Sequence, residues 1–138
     1  MKDLFNNITV ARAIAPVSVS DNTAQVSQII DRQGYGSLTF AIALGSLADA
    51  DATFSVLVEH GDNSGLSDAA TVAASDLLGT AALAGFTFAD DNATRKIGYK
   101  GAKRYVRLTI TPANNASAAL FSAVALLGHP YAAPTSNP

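Results

Sequence analysis

Alternation of apolar and polar side chains is the main pattern along the chain, and it predicts short β-strands. In residues 105–111, the apolar side chains Val106, Leu108 and Ile110 occupy every second position. Successive side chains of a strand point to opposite faces, so this run predicts a half-buried strand with a wet outer face. Residues 37–44 alternate in the same way, but their second face is small and uncharged. This suggests that the second face is also partly covered.

Other runs of the same kind predict further strands at residues 26–31, 53–59, 86–88, 97–99 and 118–127. In residues 86–88, both phenylalanine rings fall on one side. One face of the last run holds Leu120, Ser122, Val124 and Leu126. Residues 69–78 fit either a short helix or a strand, and the surrounding β pattern favours a strand.

Turn signals separate these runs and indicate how they connect. A turn with glycine at residues 99–103 lies between the runs 97–99 and 105–111, so we predict a β-hairpin there. The pattern as a whole predicts an all-β fold. We expect an antiparallel β-sandwich or jelly-roll-like barrel of about seven to eight strands with extended termini. A parallel α/β fold needs helices between its strands, and the pattern contains no convincing long helix.

A chain of 138 residues is the length of one domain. We predict an extended N-terminal arm at residues 1–16, a β-sandwich at 17–128 and a proline-rich C-terminal tail at 129–138. The arm could pack on a neighbouring subunit, or it could form an edge strand of its own fold. The tail holds three prolines and cannot continue a central strand.

Only 14% of the residues are charged, compared with roughly 25% in an average globular domain. A surface built from Ala, Ser, Thr and Asn suits a subunit that its neighbours cover. The alternative is an alanine-rich protein from a GC-rich genome. The chain has no cysteine, which excludes disulfides, thiolate metal sites and cysteine nucleophiles.

Charge is distributed unevenly along the chain. No lysine or arginine lies between Arg32 and Arg95, although eight of the eleven acidic residues fall there. Six of the nine basic residues cluster around the predicted hairpin, where two tyrosines interleave with them, as in single-strand nucleic-acid binders. However, the net charge of −2 argues against general nucleic-acid binding, and we expect no specific nucleic-acid partner. We predict instead that the cluster contacts acidic groups, either on a partner subunit or on the chain's own acidic loops. The predicted partner contacts are Arg95, Lys96, Tyr99, Lys100, Lys103, Arg104, Tyr105 and Arg107.

The sequence offers few candidates for catalysis or for a metal site. Neither His60 nor His129 has a recognisable spacing to a nucleophile or a ligand, so we expect no enzyme, no cofactor and no metal. The loop at residues 62–68 is rich in Asp, Asn and Ser oxygens, which calcium favours. It lacks the twelfth-position glutamate of an EF-hand, and such a composition is also typical of a simple turn. Both interpretations of the loop stay open.

Several segments resemble a family of small tailed-bacteriophage proteins encoded near the major capsid gene. None of them is a catalytic motif. They are Ala-Pro-Val-Ser-Val-Ser-Asp-Asn-Thr at 15–23, Ile-Ile-Asp-Arg-Gln-Gly-Tyr at 29–35, Lys-Ile-Gly-Tyr at 96–99, Arg-Tyr-Val-Arg-Leu-Thr-Ile-Thr-Pro at 104–112 and Leu-Leu-Gly-His-Pro at 126–130.

The resemblance implies a virion structural protein, most plausibly a head decoration (cement) protein. Such a protein is made in the bacterial host cytoplasm, binds the major capsid protein on the capsid surface, and bridges neighbouring capsomers. It would be a homo-oligomer, with a trimer favoured. The alternatives are a head–tail connector or tail structural component, or a carbohydrate-binding β-sandwich module on the virion. No apolar run approaches the ~18 residues that span a bilayer, so we expect no membrane partner.

Overall fold

The computed structural model describes residues 2–137 and shows an antiparallel β-sandwich, which confirms the predicted fold class. Met1 and Pro138, the ends of the predicted arm and tail, lie outside the described residues. The one α-helix of the described part, α1, is a single turn, so no helix there could cross a membrane. In chain order, the elements are β1 (Ile8–Val19), β2 (Gln25–Val26), β3 (Ile30–Asp31), β4 (Tyr35–Leu47), β5 (Thr53–Gly61), β6 (Ala70–Thr71), β7 (Leu77–Leu78), α1 (Ala81–Ala84), β8 (Phe86–Thr87), β9 (Thr94–Tyr99), β10 (Tyr105–Ala113) and β11 (Ala119–Pro130).

The strands form two sheets that pack face to face. Sheet A has the order β1-β11-β4-β9-β7, so its three central strands are β11, β4 and β9. Sheet B has the order β2-β10-β5-β6, with β3 also on β10 and β8 also on β5. All pairings are antiparallel.

The core lies between the two sheets and is filled by the alternating apolar positions. Phe40 of β4 and Ile97 of β9 are fully buried from sheet A, and Val106, Leu108 and Ile110 of β10 are fully buried from sheet B. The predicted burial of Val106, Leu108 and Ile110 on one face of a strand is therefore confirmed. Burial of such side chains is the main favourable contribution to folding.

The predicted hairpin is wrong. β9 pairs with β4 and β7 in sheet A, whereas β10 pairs with β5, β2 and β3 in sheet B. The segment between them crosses from one sheet to the other. Alternation marks one face of each strand as buried, but two strands that share a core can lie in opposite sheets and need not pair with each other.

The predicted arm and tail also differ from the structure. Residues 8–16 belong to β1, which pairs with β11 along its length, so the edge-strand alternative is the one observed. Register shifts between Arg12 and Ile14 and between Ile14 and Val17 break the alternation, which is why the strand pattern was hidden. β11 continues to Pro130, and Thr135 Oγ1 donates to the Ile8 carbonyl at 2.6 Å, which ties the tail to β1.

Residues 69–78 and 86–88 form short elements. Residues 69–78 contain the two-residue strands β6 and β7, as the β pattern favoured. The two rings of residues 86–88 point to different environments, because Phe86 is buried and Phe88 is 45% exposed. A capping box between Thr87 and Asp90 begins a turn of 3₁₀ helix at Phe88 and ends the strand.

Candidate functional site

Most of the basic side chains predicted as partner contacts are paired within the chain. Because each acidic partner lies on the chain's own loops or strands, the local excess of positive charge is neutralised internally. The ion pairs are Arg95–Asp90 at 2.7 Å, Lys103–Asp62 at 2.8 Å, Arg104–Asp31 at 2.9 Å and Arg107–Glu59 at 3.1 Å.

Two of these contacts, Arg104–Asp31 and Lys103–Asp62, shift the pKa of both partners. The hydrogen bonds from Arg104 hold the pKa of Asp31 below its ordinary value. Lys103 does the same for the pKa of Asp62, and the same bond raises the pKa of Lys103. In each pair, the contact favours the charged form of both groups.

Tyr99 does not face a partner surface. It is 3% exposed, its hydroxyl hydrogen-bonds His60 Nδ1 at 2.8 Å, and the hydroxyl oxygen accepts from the Lys103 backbone N–H at 3.0 Å. Burial raises the pKa of its phenol. Arg32 packs on the ring with its guanidinium carbon 5.4 Å from the centroid and donates to the Gly101 carbonyl at 2.9 Å. No spacing in the sequence pointed to this cluster, because its members come from distant segments.

Tyr105 is half-buried, and its ring lies against Arg104, with the guanidinium carbon 5.0 Å from the centroid. Two lysines of the predicted set differ from the rest. Lys96 and Lys100 are exposed and form no ion pair within residues 2–137. Lys96 lies on the outer face of sheet A, away from the paired cluster, because it is opposite Ala41 in the β4–β9 register.

The outer face of sheet A is built almost entirely from small or apolar side chains. The registers Leu126↔Thr39, Val124↔Ala41 and Ser122↔Ala43 place the alternate positions of β11 and β4 on this face. Their inward neighbours are buried, whereas these positions are half-buried or exposed. The small, uncharged side of residues 37–44 is therefore partly covered within residues 2–137, as predicted: Ser37, Thr39 and Ala41 are half-buried and Ala43 is exposed. The face comprises Ile8, Val10, Arg12, Ser37, Thr39, Ala41, Ala43, Leu78, Thr94, Lys96, Gly98, Leu120, Ser122, Val124, Leu126 and Gly128.

A trough runs along β4 on this face, because β4 contributes only small side chains there. The larger side chains of β11 border it on one side. On the other side, Leu78 lies over Gly98, where an added Cβ would be only 2.9 Å from the Leu78 Cβ. Leu78 is 55% exposed and Leu120, which lies over Gly45 at the far end, is 43% exposed.

Two separate cavities lie on this face, one near each end of β4: Thr39 lines the first and Ala43 lines the second. The larger cavity has a volume of about 700 Å³ and lies beside Leu4, Ile8, Thr39, Lys96 and Leu126. The smaller cavity, of about 460 Å³, is lined by residues that include Pro16, Ser18, Ala43, Leu120 and Ser122. The volume of the larger one lies within the ~300–1,000 Å³ typical of ligand sites.

The outer face of sheet A carries positive charge only. Within the described residues its charged members are Lys96 and Arg12, and no carboxylate lies on it. Arg12 lies at the rim, where its guanidinium contacts the Gln28 amide oxygen. The face is therefore complementary to a neutral or mildly acidic surface.

The loop at residues 62–68 uses its oxygens to close itself. The Asp68 carboxylate accepts from the Asp62 and Asn63 backbone N–H groups at 2.9 and 3.2 Å, and Asn63 Oδ1 accepts from the Gly65 N–H at 2.8 Å. Within residues 2–137, no three His, Cys, Asp or Glu side chains are grouped as a metal ion would require. The two histidines have different partners: His129 Nδ1 hydrogen-bonds Ser37 Oγ at 2.9 Å, whereas His60 Nδ1 hydrogen-bonds the Tyr99 hydroxyl.

No family model and no curated protein sequence matches the chain. Among solved structures, the PBSX exported protein XepA matches with a TM-score of 0.60 at 15% identity, over 100% of this chain and 42% of the XepA chain. The Yersinia pseudotuberculosis-derived mitogen matches with a TM-score of 0.44 at 10% identity, over 90% and 87% of the two chains. The CBM22-1–GH10 modules of Clostridium thermocellum xylanase 10B, complexed with xylohexaose, match with a TM-score of 0.44 at 12% identity, over 96% and 28%.

The chain spans less than half the length of XepA, and at this identity the likeness concerns the fold. XepA and this chain share a β-sandwich arrangement across the whole of the shorter chain. The protein is therefore an antiparallel β-sandwich with one open, nearly uncharged sheet face.

Proposed function

We propose that this protein is a virion structural protein of a tailed bacteriophage, and that it decorates the outside of the head. In this role it binds the major capsid protein and bridges neighbouring capsomers, as a homo-oligomer with a trimer favoured. It is not an enzyme. The single observation that carries the proposal is the outer face of sheet A, which is open, consists mainly of small or apolar side chains and is almost free of charge.

The physical argument starts from what such a face does in water. Large contiguous apolar surfaces are uncommon on monomeric proteins and mark sites of protein association. Val10 and Leu120 on this face are 44% and 43% exposed in the isolated chain. Covering them removes apolar area from water. A standard interface buries ~800 Å² per partner, and many copies around a shell multiply the effect of each modest contact.

Two further observations support the proposal that the protein comes from a phage virion. The family resemblance of residues 15–23, 29–35, 96–112 and 126–130 supports a phage virion protein. The fold shared with XepA, a PBSX exported protein, agrees with a phage-related origin.

The contact surface proposed here changes the role of the basic residues. Four of the six basic side chains in the predicted set pair with the chain's own acidic groups: Lys103, Arg104 and Arg107 do so at or next to β10 in sheet B, and Arg95 does so on β9 in sheet A. Lys96 remains as the basic residue of that set on the proposed contact face. Lys100 is exposed without an ion pair in residues 2–137, but it lies beyond the end of β9 and does not line the larger cavity.

The test of this function is the number of copies per particle. Quantitative mass spectrometry of purified virions should find hundreds of copies per virion, in a fixed ratio to the major capsid protein. About a dozen copies per virion would contradict decoration and favour a head–tail connector or tail component.

Carbohydrate binding on the virion is a second candidate, favoured by one surface feature. The Tyr131 ring is 79% exposed and lines a cleft of about 230 Å³ together with Gln33 and Arg104. An exposed ring beside hydrogen-bonding side chains can stack on a sugar and orient it. A glycan array should then show binding that Tyr131→Ala abolishes and Tyr99→Phe retains. Array binding unaffected by Tyr131→Ala would exclude this cleft as the sugar site.

A further inference from the structure

The larger cavity on the outer face of sheet A combines an apolar lining with one cation. Leu4, Ile8, Leu126 and Pro130 supply the apolar walls of this cavity of about 700 Å³, and Lys96 borders it. Lys96 is exposed and pairs with no carboxylate within residues 2–137. An ammonium group beside an apolar hollow is complementary to a ligand that carries apolar groups and one anionic group.

The shape of the site favours a long occupant. The small β4 side chains between the larger cavity and the smaller one form a continuous row beside β11, and the two cavities together follow β11 from Leu120 to Gly128. Eight residue steps of a strand cover ~26 Å at ~3.3 Å per residue. A small molecule would occupy one cavity only, whereas an extended polypeptide segment could occupy the cavity and continue along the trough.

The charge on the face argues against a second copy of this chain as the occupant. A twofold contact sets a surface patch against the same patch of the partner. Here, that arrangement would set two faces that each carry Lys96 and Arg12 against each other, with no carboxylate on either face to pair with them. Like charges across an interface disfavour the complex.

We propose that the cavity and the trough bind an extended segment of a partner protein that places an Asp or Glu carboxylate on Lys96 Nζ. Apolar side chains of that segment lie against Leu126 and over the small side chains of β4. The inference rests on the proposed function, in which the partner is the major capsid protein, and it adds the chemistry of the bound segment.

The test uses the full chain and a synthetic library of random seven-residue peptides. We expect the wild-type protein to enrich peptides in which one Asp or Glu is flanked by apolar residues. The variant Lys96→Glu should bind the enriched peptide about tenfold or more weakly, because a carboxylate then faces a carboxylate. The matched control is Lys100→Glu, which makes the same charge change beyond the end of β9, at a residue that does not line the cavity, and it should bind as the wild type does.

Three results would overturn the proposal: no enrichment, an enriched motif without an acidic residue, or equal affinity of Lys96→Glu and wild type. Amide chemical shifts should change at Thr39, Ala41 and Leu126 when the enriched peptide is added. Shift changes that are confined to other residues would also contradict the proposal.

A wild-type dimer that Ala41→Arg dissociates would show that a second copy covers the face instead. Peptide binding and particle copy number are separate measurements, so a failure of this inference is distinguishable from a failure of the proposed function.

Discussion

Asp31 of β3 accepts two hydrogen bonds from Arg104 at the start of β10, from Nε to Oδ1 at 2.9 Å and from Nη2 to Oδ2 at 2.9 Å. This bidentate contact links the short strand β3 to the central strand of sheet B. Parallel N–H···O bonds of this kind add geometric specificity to an ion pair. The relationship explains why a basic cluster in the sequence need not indicate a nucleic-acid site.

Charge reversal at this pair tests whether it is a structural contact. We expect Arg104→Glu to lower the urea midpoint of unfolding, because it sets two carboxylates against each other. The double variant Asp31→Arg/Arg104→Glu should recover most of the loss, since it restores opposite charges in exchanged positions. A double variant less stable than Arg104→Glu alone would contradict the pairing.

Stability should fall in acid because the folded chain lowers the pKa of several carboxyl groups. The pKa of Asp31 is lowered chiefly by Arg104, that of Asp62 by Lys103 and that of Asp90 by the Thr87 backbone N–H and then by Arg95. A group with a lowered folded pKa contributes stability above its unfolded value, near 3.8 here, and loses it as pH falls through the folded value.

The measurement is the urea midpoint at pH 7, 5 and 3. We expect little change between pH 7 and 5 and a clear decrease at pH 3. Asp31→Asn removes one of the titrating groups, so its midpoint should decrease less over the same interval. A wild-type midpoint as high at pH 3 as at pH 7 would contradict this account of the ion pairs.

Tyr99→Phe tests the assignment of Tyr99 to the core. The change deletes the hydroxyl that accepts from the Lys103 backbone N–H and bonds His60. Both bonds are part-buried, and a typical intramolecular hydrogen bond contributes about 0.5–1.5 kcal/mol to the free energy of unfolding, so we expect a loss of about that size. The matched control is Tyr105→Phe, which should change the free energy of unfolding by less than about 0.5 kcal/mol.

Head binding by the same variants separates a structural tyrosine from a contact residue. Tyr99→Phe that remains folded should occupy particles as the wild type does. A selective loss of particle binding, without loss of stability, would instead make Tyr99 part of the contact surface.

The sequence was sufficient to predict the fold class and most long strands, because a strand buried on one face needs an apolar residue at every second position. Strands β4, β5, β10 and β11 all follow that rule. β1 escaped it because two register shifts break its alternation. The hairpin was wrong because alternation reports which residues are buried, whereas pairing depends on which sheet each strand joins.

The candidate site was harder to predict than the fold. The basic cluster was visible in the sequence, but its acidic partners are distant along the chain. Asp62 lies 41 residues from Lys103, and Asp31 lies 73 residues from Arg104, so their proximity appears only in the folded chain. The uncharged side of β4 was visible, and its continuation across β11 follows from the register of the two strands. Lys96 was grouped with the other basic residues, and its position on the outer face of sheet A depends on the pairing of β9 with β4.

In the proposed function, the outer face of sheet A is the surface that binds the phage head. The most direct measurement is the occupancy of purified particles by Ala41→Arg, which puts a large cation in the middle of the trough, compared with Thr111→Arg on the exposed outer face of sheet B. Both variants should fold, because neither position points into the core. We expect Ala41→Arg to be lost from particles and Thr111→Arg to be retained at the wild-type ratio to the capsid protein. Full occupancy by Ala41→Arg, or loss of Thr111→Arg alone, would contradict the account.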